Sequence, residues 1–159
     1  MGKKMDIQID ILNEYKRWID CASDEEIKQE LALMKDNFEE INESFYKELD
    51  FGTSGMRGIL GAGTNRLNTY VLRRSNLALA SHINKNCASK SVVISYDSRK
   101  NSSRFARETA DLMSAIGIKA YLFSELTPVP VLVYAITKLS CDYGIMITAS
   151  HNPAVYNGY

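Results

Sequence analysis

The chain has 159 residues, 45% of them hydrophobic, with 19 basic and 19 acidic side chains; that is enough for one domain with a real core and too apolar for a disordered chain. No apolar run is long enough to span a bilayer. The opening Met1-Gly2-Lys3-Lys4-Met5-Asp6 lacks an apolar signal-peptide core, and Asp6 breaks the myristoylation pattern.

The zero net charge hides a split. Residues 1–50 hold fourteen acidic and seven basic side chains, and residues 51–159 hold five acidic and twelve basic. The basic part carries seven arginines, Arg57, Arg66, Arg73, Arg74, Arg99, Arg104 and Arg107, a residue suited to bidentate phosphate binding. Arg73, Arg74, Arg104 and Arg107 read as solvated helix faces. No dense basic run or recognition motif supports nucleic acid as a partner. Cys21, Cys87 and Cys141 are odd in number and lack metal-site spacing, as expected for free thiols in a reducing cytoplasm; the Asn-X-Ser sequons at Asn42 and Asn101 then carry no meaning.

Residues 6–20 form a predicted amphipathic helix, with Ile7, Ile11, Tyr15 and Trp18 at helical spacing and Leu12 and Ile19 beside them. Ser23-Asp24-Glu25-Glu26 reads as a capping box for a second helix to about Lys35, with Ile27, Leu31 and Met34 inward. Asn42 is a candidate cap for a short third helix carrying Phe45 and Leu49. This acidic helical segment has no site chemistry and is expected to pack on the main domain.

Five glycines follow within residues 51–63. They forbid a regular helix and permit close backbone approach. With Thr53, Ser54 and Arg57 they suggest a phosphate-binding loop, or alternatively a hairpin without a ligand; no Lys-Ser or Lys-Thr follows, as a nucleotide-binding loop requires. Residues 69–86 read as a helix with Thr69 as a candidate cap; His82 lies in it without an obvious partner. Ser91–Tyr96 is a predicted strand ending in the polar loop Asp97-Ser98-Arg99-Lys100-Asn101-Ser102. A helix over 103–116, stopped by Gly117, a strand over 118–123, a helix over 130–139 and a strand over 142–148 complete the series. This alternation implies a layered α/β domain with a largely parallel sheet. Right-handed crossovers put the strand ends at 97, 124 and 149 on one edge, so the Asp97 and Ser150 loops are expected to share a cleft.

The last strand, Ile145-Met146-Ile147, runs into Thr148-Ala149-Ser150-His151-Asn152-Pro153. A serine just past the carboxyl end of a buried strand stands where open α/β sheets place their ligand chemistry, and it can serve as nucleophile or group carrier. Read alone, Ser-His-Asn-Pro is also ordinary loop composition, and adjacent Ser and His are poor evidence for a serine–histidine relay.

Three motifs in order resemble the α-D-phosphohexomutases, the phosphoglucomutase and phosphomannomutase family. Phe51-Gly-Thr-Ser-Gly-Met-Arg-Gly58 resembles the first active-site loop, Tyr96-Asp97-Ser98-Arg99 with Ser102 the second motif, and Thr148-Ala-Ser-His-Asn-Pro153 the phosphoserine loop almost letter for letter. The helical extension and Gly61-Ala-Gly-Thr-Asn-Arg66 are similar to the branch holding phosphoglucomutases and phosphopentomutases. The resemblance implies a three-layer αβα domain with a mostly parallel, mixed sheet over residues 45–159, preceded by a helical extension over 1–44, as a fragment of a multidomain enzyme. Ser150 would carry a phosphoryl group and pass it to a glucose or mannose monophosphate through a 1,6-bisphosphate, which also acts as activator. Thr53, Ser54 and Arg57 would line the phosphoserine pocket. His151 would help position the transferred group, Asn152 would help bind substrate, and Mg²⁺ would contact a phosphate oxygen on Ser150. Asp97 and Arg99 would brace the neighbouring loop.

The family's acidic Asp-Gly-Asp metal cluster, its sugar-selecting loop and its distal phosphate-binding loop belong to later domains and do not occur in these residues. The family's candidate general-acid/base lysine follows Tyr-Asn-Gly by one further residue, and the chain runs only to Tyr159. The expectation is a domain cut at its C-terminal end, inactive without the missing domains of the same chain. Alternatives are a phosphopentomutase, a non-catalytic sugar-phosphate-binding module and, more remotely, a nucleic-acid-binding domain or a serine hydrolase; the last lacks the G-x-S-x-G context.

Overall fold

The computed structural model describes residues 2–159. Helix α1 (Gly2–Cys21) packs against α2 (Glu25–Leu33) and α3 (Phe38–Phe45). Ile11, Tyr15 and Trp18 are buried on one face of α1, whereas Ile7 and Ile19 stay exposed, so the packed stripe is narrower than the spacing predicts. Trp18 sits edge-on to Phe45 and Tyr70 with ring centroids 5.6 and 5.4 Å away, a geometry that adds to simple burial. These residues form an apolar cluster with Leu31, Met34, Ile41 and Ala62.

The helix caps differ from those predicted. Asp24, not Ser23, caps α2, its carboxylate accepting from the Glu26 and Ile27 amides. Ser23 is occupied elsewhere: its amide donates to the Tyr70 hydroxyl, 2.7 Å away, and its own hydroxyl lies 3.2 Å from the same oxygen. Asn37, not Asn42, caps α3 by accepting from the Glu40 amide.

Strands β1 (Phe51–Gly52) and β2 (Gly55–Ile59) form an antiparallel hairpin, and β2 also pairs with β6 (Tyr156–Gly158) near the far end of the chain. The helix α4 (Thr69–Asn86) is capped by Asn68 rather than Thr69. Next come β3 (Ser91–Tyr96), α5 (Ser102–Ala115), β4 (Lys119–Leu122), α6 (Val129–Lys138) and β5 (Tyr143–Ile147). Gly117 ends α5 in the left-handed region at φ +80°. The Ile118 amide then returns to the Met113 carbonyl at 2.9 Å, the wrap-around closure that glycine permits.

The main sheet has the order β4-β3-β5 and is parallel throughout; antiparallel pairing is confined to the β1-β2-β6 sheet. All six residues of β3 are buried, as a strand covered on both faces must be. Val92, Ile94, Ile145 and Ile147 face Phe105, Ala106 and Met113 of α5, with α4 behind. Val93 and Gly144 face α6; a Cβ on Gly144 would lie 2.2 Å from Ile136 Cδ1. Helices therefore cover both faces of the sheet, giving the expected layered α/β domain.

Ion pairs join the acidic helices to the basic domain. Arg104 pairs with Asp24 and Glu26, and Lys100 with Glu26; Arg74 pairs with Glu48, beyond the end of α3, and Arg73 with Glu108 within the α/β part. Burial tends to raise the Asp24 carboxyl pKa, but Arg104 and the two amides outweigh it and hold the group below its ordinary value of 3.8. Among the described residues no helix is long and apolar enough to cross a membrane.

Candidate functional site

Because β3 and β5 are parallel neighbours with Tyr96 opposite Ile147, their following loops leave the sheet side by side. Parallel strand ends are where such folds gather chemistry. Ser150 is exposed on the second loop, in the left-handed region at φ +54°, which non-glycine residues visit rarely. Its Oγ lies 3.4 Å from Nδ1 of exposed His151. The Ser150 amide donates to Thr148 Oγ1 at 3.0 Å, and the Thr148 hydroxyl donates to Asp97 Oδ2 at 2.6 Å.

The glycine-rich segment divides into two functions. Its first half is the β1–β2 hairpin, with Thr53 and Ser54 exposed at the turn. Half-buried Arg57 on β2 points towards the serine loop. Its Nη1 donates to Asn152 Oδ1 at 3.2 Å and its Nη2 to Ser54 Oγ at 3.4 Å. Both are long, weak bonds, which leaves guanidinium donor capacity for a ligand. Gly55, at φ +95°, leaves no room for a side chain: a Cβ would lie 2.4 Å from the Tyr159 carbonyl oxygen.

The second half, Leu60–Leu67, is committed to the protein itself. The Ala62 amide donates to Glu30 Oε2 at 2.6 Å, and Asn68 Nδ2 donates to the Gly61 and Gly63 carbonyls. A carboxylate of the helical segment thus occupies the donor that an anion would otherwise take, so the phosphate-binding expectation is confined to residues 51–58.

Arg57, Ser54 and Asn152 are linked by hydrogen bonds, and Ser150 is beside His151; Thr53 shares the hairpin turn with Ser54. Asp97 and Arg99 touch the serine loop and its neighbours: Asp97 Oδ1 accepts from the Arg99 amide and the Ser102 hydroxyl, and Arg99 donates to loop carbonyls. Two polar residues of this network, Thr148 and Asn157, have no role in the sequence reading. Thr148 stands two before Ser150, and its T-x-S pattern is a local signal, since Thr hydroxyls accept from the amide two residues on. Asn157 is fully buried, its Nδ2 donating to the Lys100 carbonyl and Ser102 Oγ; Tyr-Asn-Gly carries no local sign of that long-range link. His82 is exposed, near Asn86 and edge-on to Tyr143. Among the described residues no three His, Cys, Asp or Glu side chains gather as a metal-ligand set.

The fold and site define an α/β domain that presents a serine at a strand's carboxyl end, on a loop that an arginine-bearing hairpin contacts through Asn152. The family profile for phosphoglucomutase/phosphomannomutase, alpha/beta/alpha domain I, matches residues 48–159, and the chain belongs to that family. A phosphoglucomutase of Staphylococcus epidermidis is 38% identical over 146 residues, covering 89% of this chain and 26% of the relative. A phosphoglucomutase of Staphylococcus haemolyticus is 43% identical over 116 residues, covering 73% and 21%. A solved structure from Thermus thermophilus, assigned as a phosphomannomutase, superposes with a TM-score of 0.65 at 31% identity, over 70% of this chain and 25% of that one. The chain spans about a quarter of the length of these relatives.

Proposed function

We propose that this domain supplies the phosphoserine of a sugar-phosphate mutase that interconverts glucose 1-phosphate and glucose 6-phosphate, with the mannose phosphates as further substrates. The observation that carries the reading is Ser150 itself: exposed, in a left-handed conformation, with its Oγ beside His151 and Arg57 anchored two residues along the loop at Asn152. In the forward half-reaction the P–O bond to Ser150 Oγ breaks as one forms to the sugar hydroxyl. The hydroxyl proton is released and Ser150 Oγ takes one up. The resulting 1,6-bisphosphate reorients and returns its other phosphate to Ser150. Such transfer is chiefly positioning and charge neutralisation. Arg57 neutralises phosphate charge, Thr53 and Ser54 offer hydroxyls to the phosphate oxygens, and His151 and Asn152 help position the transferred group.

Mg²⁺ is the cofactor of this reading; when bound it would help neutralise phosphate charge, with the phosphoryl group on Ser150 as the contact these residues offer it. Among the described residues no three His, Cys, Asp or Glu side chains gather as a ligand set, so in this reading its side-chain ligands would belong to the further domains. The proposed setting is the cytoplasm, with neither nucleic acid nor membrane as partner and with further domains of the same polypeptide completing the site.

The test is intact mass and peptide mapping of the full-length protein. Phosphate on the Ser150 peptide, removed by glucose 6-phosphate and restored by glucose 1,6-bisphosphate, supports the reading. A Ser150 that stays unmodified with bisphosphate and Mg²⁺ overturns it in favour of a non-catalytic sugar-phosphate-binding module.

A further inference from the structure

We propose that Arg99 is a positioning residue which, together with Asp97 and Thr148, sets the pose from which Ser150 gives and takes phosphate; the catalytic part of this rests on Ser150 being the phosphoryl carrier. The Arg99 side chain is 15% exposed. Its Nη1 donates to the carbonyls of Pro153 and Tyr156, each at 3.0 Å. Its Nη2 donates to those of Ser150 and Asn152 at 2.8 and 2.7 Å. Its Nε lies 3.3 Å from Asp97 Oδ2. All three guanidinium nitrogens are thus engaged by the protein, in contrast to Arg57 with its two long bonds. One arginine keeps donors to spare and the other holds the loop.

The carbonyls of Asn152 and Tyr156 are part-buried and need partners; those of Ser150 and Pro153 lie in the irregular loop, where no ladder holds them. A planar five-donor fork can serve four of them at once; a lysine ammonium, with three donors at one point, cannot. The second arm runs from Asp97 through Thr148. The Thr148 hydroxyl donates to Asp97 Oδ2, and the hydroxyl oxygen in turn accepts from the Ser150 amide. The carbonyl of Ser150 is therefore held by Arg99 and its amide by Thr148, with the ion pair between Asp97 and Arg99 tying the two arms. With the backbone pinned on both sides at φ +54°, the direction of Oγ is left to rotation about χ1 alone. A misplacement of about 1 Å costs on the order of 10²-fold in rate, so this bracing acts on transfer rather than on sugar affinity.

The experiment uses the full-length enzyme, with Arg99→Ala, Arg99→Lys and Thr148→Val compared with wild type. Expected are a kcat reduced roughly 10²-fold in Arg99→Ala with KM for glucose 1-phosphate nearly unchanged, partial recovery of kcat with added methylguanidinium, and little recovery in Arg99→Lys. Hydrogen exchange at the Ser150 and Asn152 amides should quicken in Arg99→Ala. Thr148→Val, which cuts only the second arm, should lower kcat less and quicken exchange at Ser150. Wild-type kcat in Arg99→Ala, or a loss carried by KM, overturns the proposal. If Arg99→Ala does not fold, Thr148→Val decides: wild-type kcat and exchange there overturn it. A wild type that takes no phosphate on Ser150 sinks the carrier reading separately, and with it the catalytic part of this one. The exchange data still decide whether Arg99 holds the loop.

Discussion

Arg57 and Gly158 are register partners across the β2–β6 ladder, and the glycine has no space to be anything else. A Cβ at Gly158 would lie 2.4 Å from the Thr148 carbonyl oxygen, 2.7 Å from that of Met56 and 3.2 Å from Arg57 Cγ. Two of these neighbours are backbone, which cannot swing aside as a flexible side chain can. Gly158→Ala should therefore lower stability by about 1–3 kcal/mol, as overpacking does, and displace Arg57. Chemical denaturation reads the first effect; loss of phosphate uptake by Ser150 in the full-length enzyme reads the second.

Arg57 has only two long hydrogen bonds within the protein, so its removal should cost little stability. If it neutralises the transferring phosphate, Arg57→Ala should reduce kcat/KM by roughly 10²–10³-fold, the usual loss for one preorganised charge donor. The thermal midpoint should stay near that of wild type. A variant with full activity would remove Arg57 from the mechanism.

Asn157 bridges the Asp97 loop and β6 from a fully buried position. In Asn157→Leu the Lys100 carbonyl and the Gly158 amide lose the partner that Asn157 supplies, whereas the Ser102 hydroxyl keeps its bond to Asp97. The expected loss is about 1–3 kcal/mol for each group left unsatisfied, read by urea unfolding.

Asp24 carries a pH signature. Its folded pKa is depressed relative to the unfolded chain, so its contribution is fully present above the unfolded carboxyl value. It is lost as pH falls through the lower, folded one. Asp24→Ala should cost about 1 kcal/mol as a helix cap at pH 7. The gap between wild type and variant should close as pH drops below the ordinary value of 3.8. Unfolding curves at pH 7 and at progressively lower pH check the sign.

Much of this architecture is legible in the sequence because its signals are local. The α/β alternation rests on helical apolar spacing and on short, largely apolar runs such as β3, and the Ser150 loop announces itself by the break from Ile147 into small and polar residues. What was not legible depends on partners far along the chain. Ser23 looks like a cap, but Tyr70, 47 residues away, takes its amide and leaves capping to Asp24. Thr69 yields to Asn68, whose side chain reaches both the Val71 amide of α4 and the glycine-loop carbonyls. The glycine-rich segment reads as one loop, yet Glu30 claims the Ala62 amide and only the first half opens towards the serine. The pairing of β2 with β6 has no local sign at all.

The parallel pairing of β3 with β5 also determines which changes this chain can accumulate. Side chains alternate between the two faces of a strand, so shifting register by one residue turns every following side chain over. Ile145 and Ile147 would exchange faces with Gly144 and Met146, and the phase at which the chain enters Thr148 would change with them. Substitutions within β5 can be absorbed one at a time, whereas a single-codon deletion or insertion there would turn the serine loop away from the Asp97 and Arg99 side chains that hold it. Among descendants of this gene, the length of that strand should vary less than its composition.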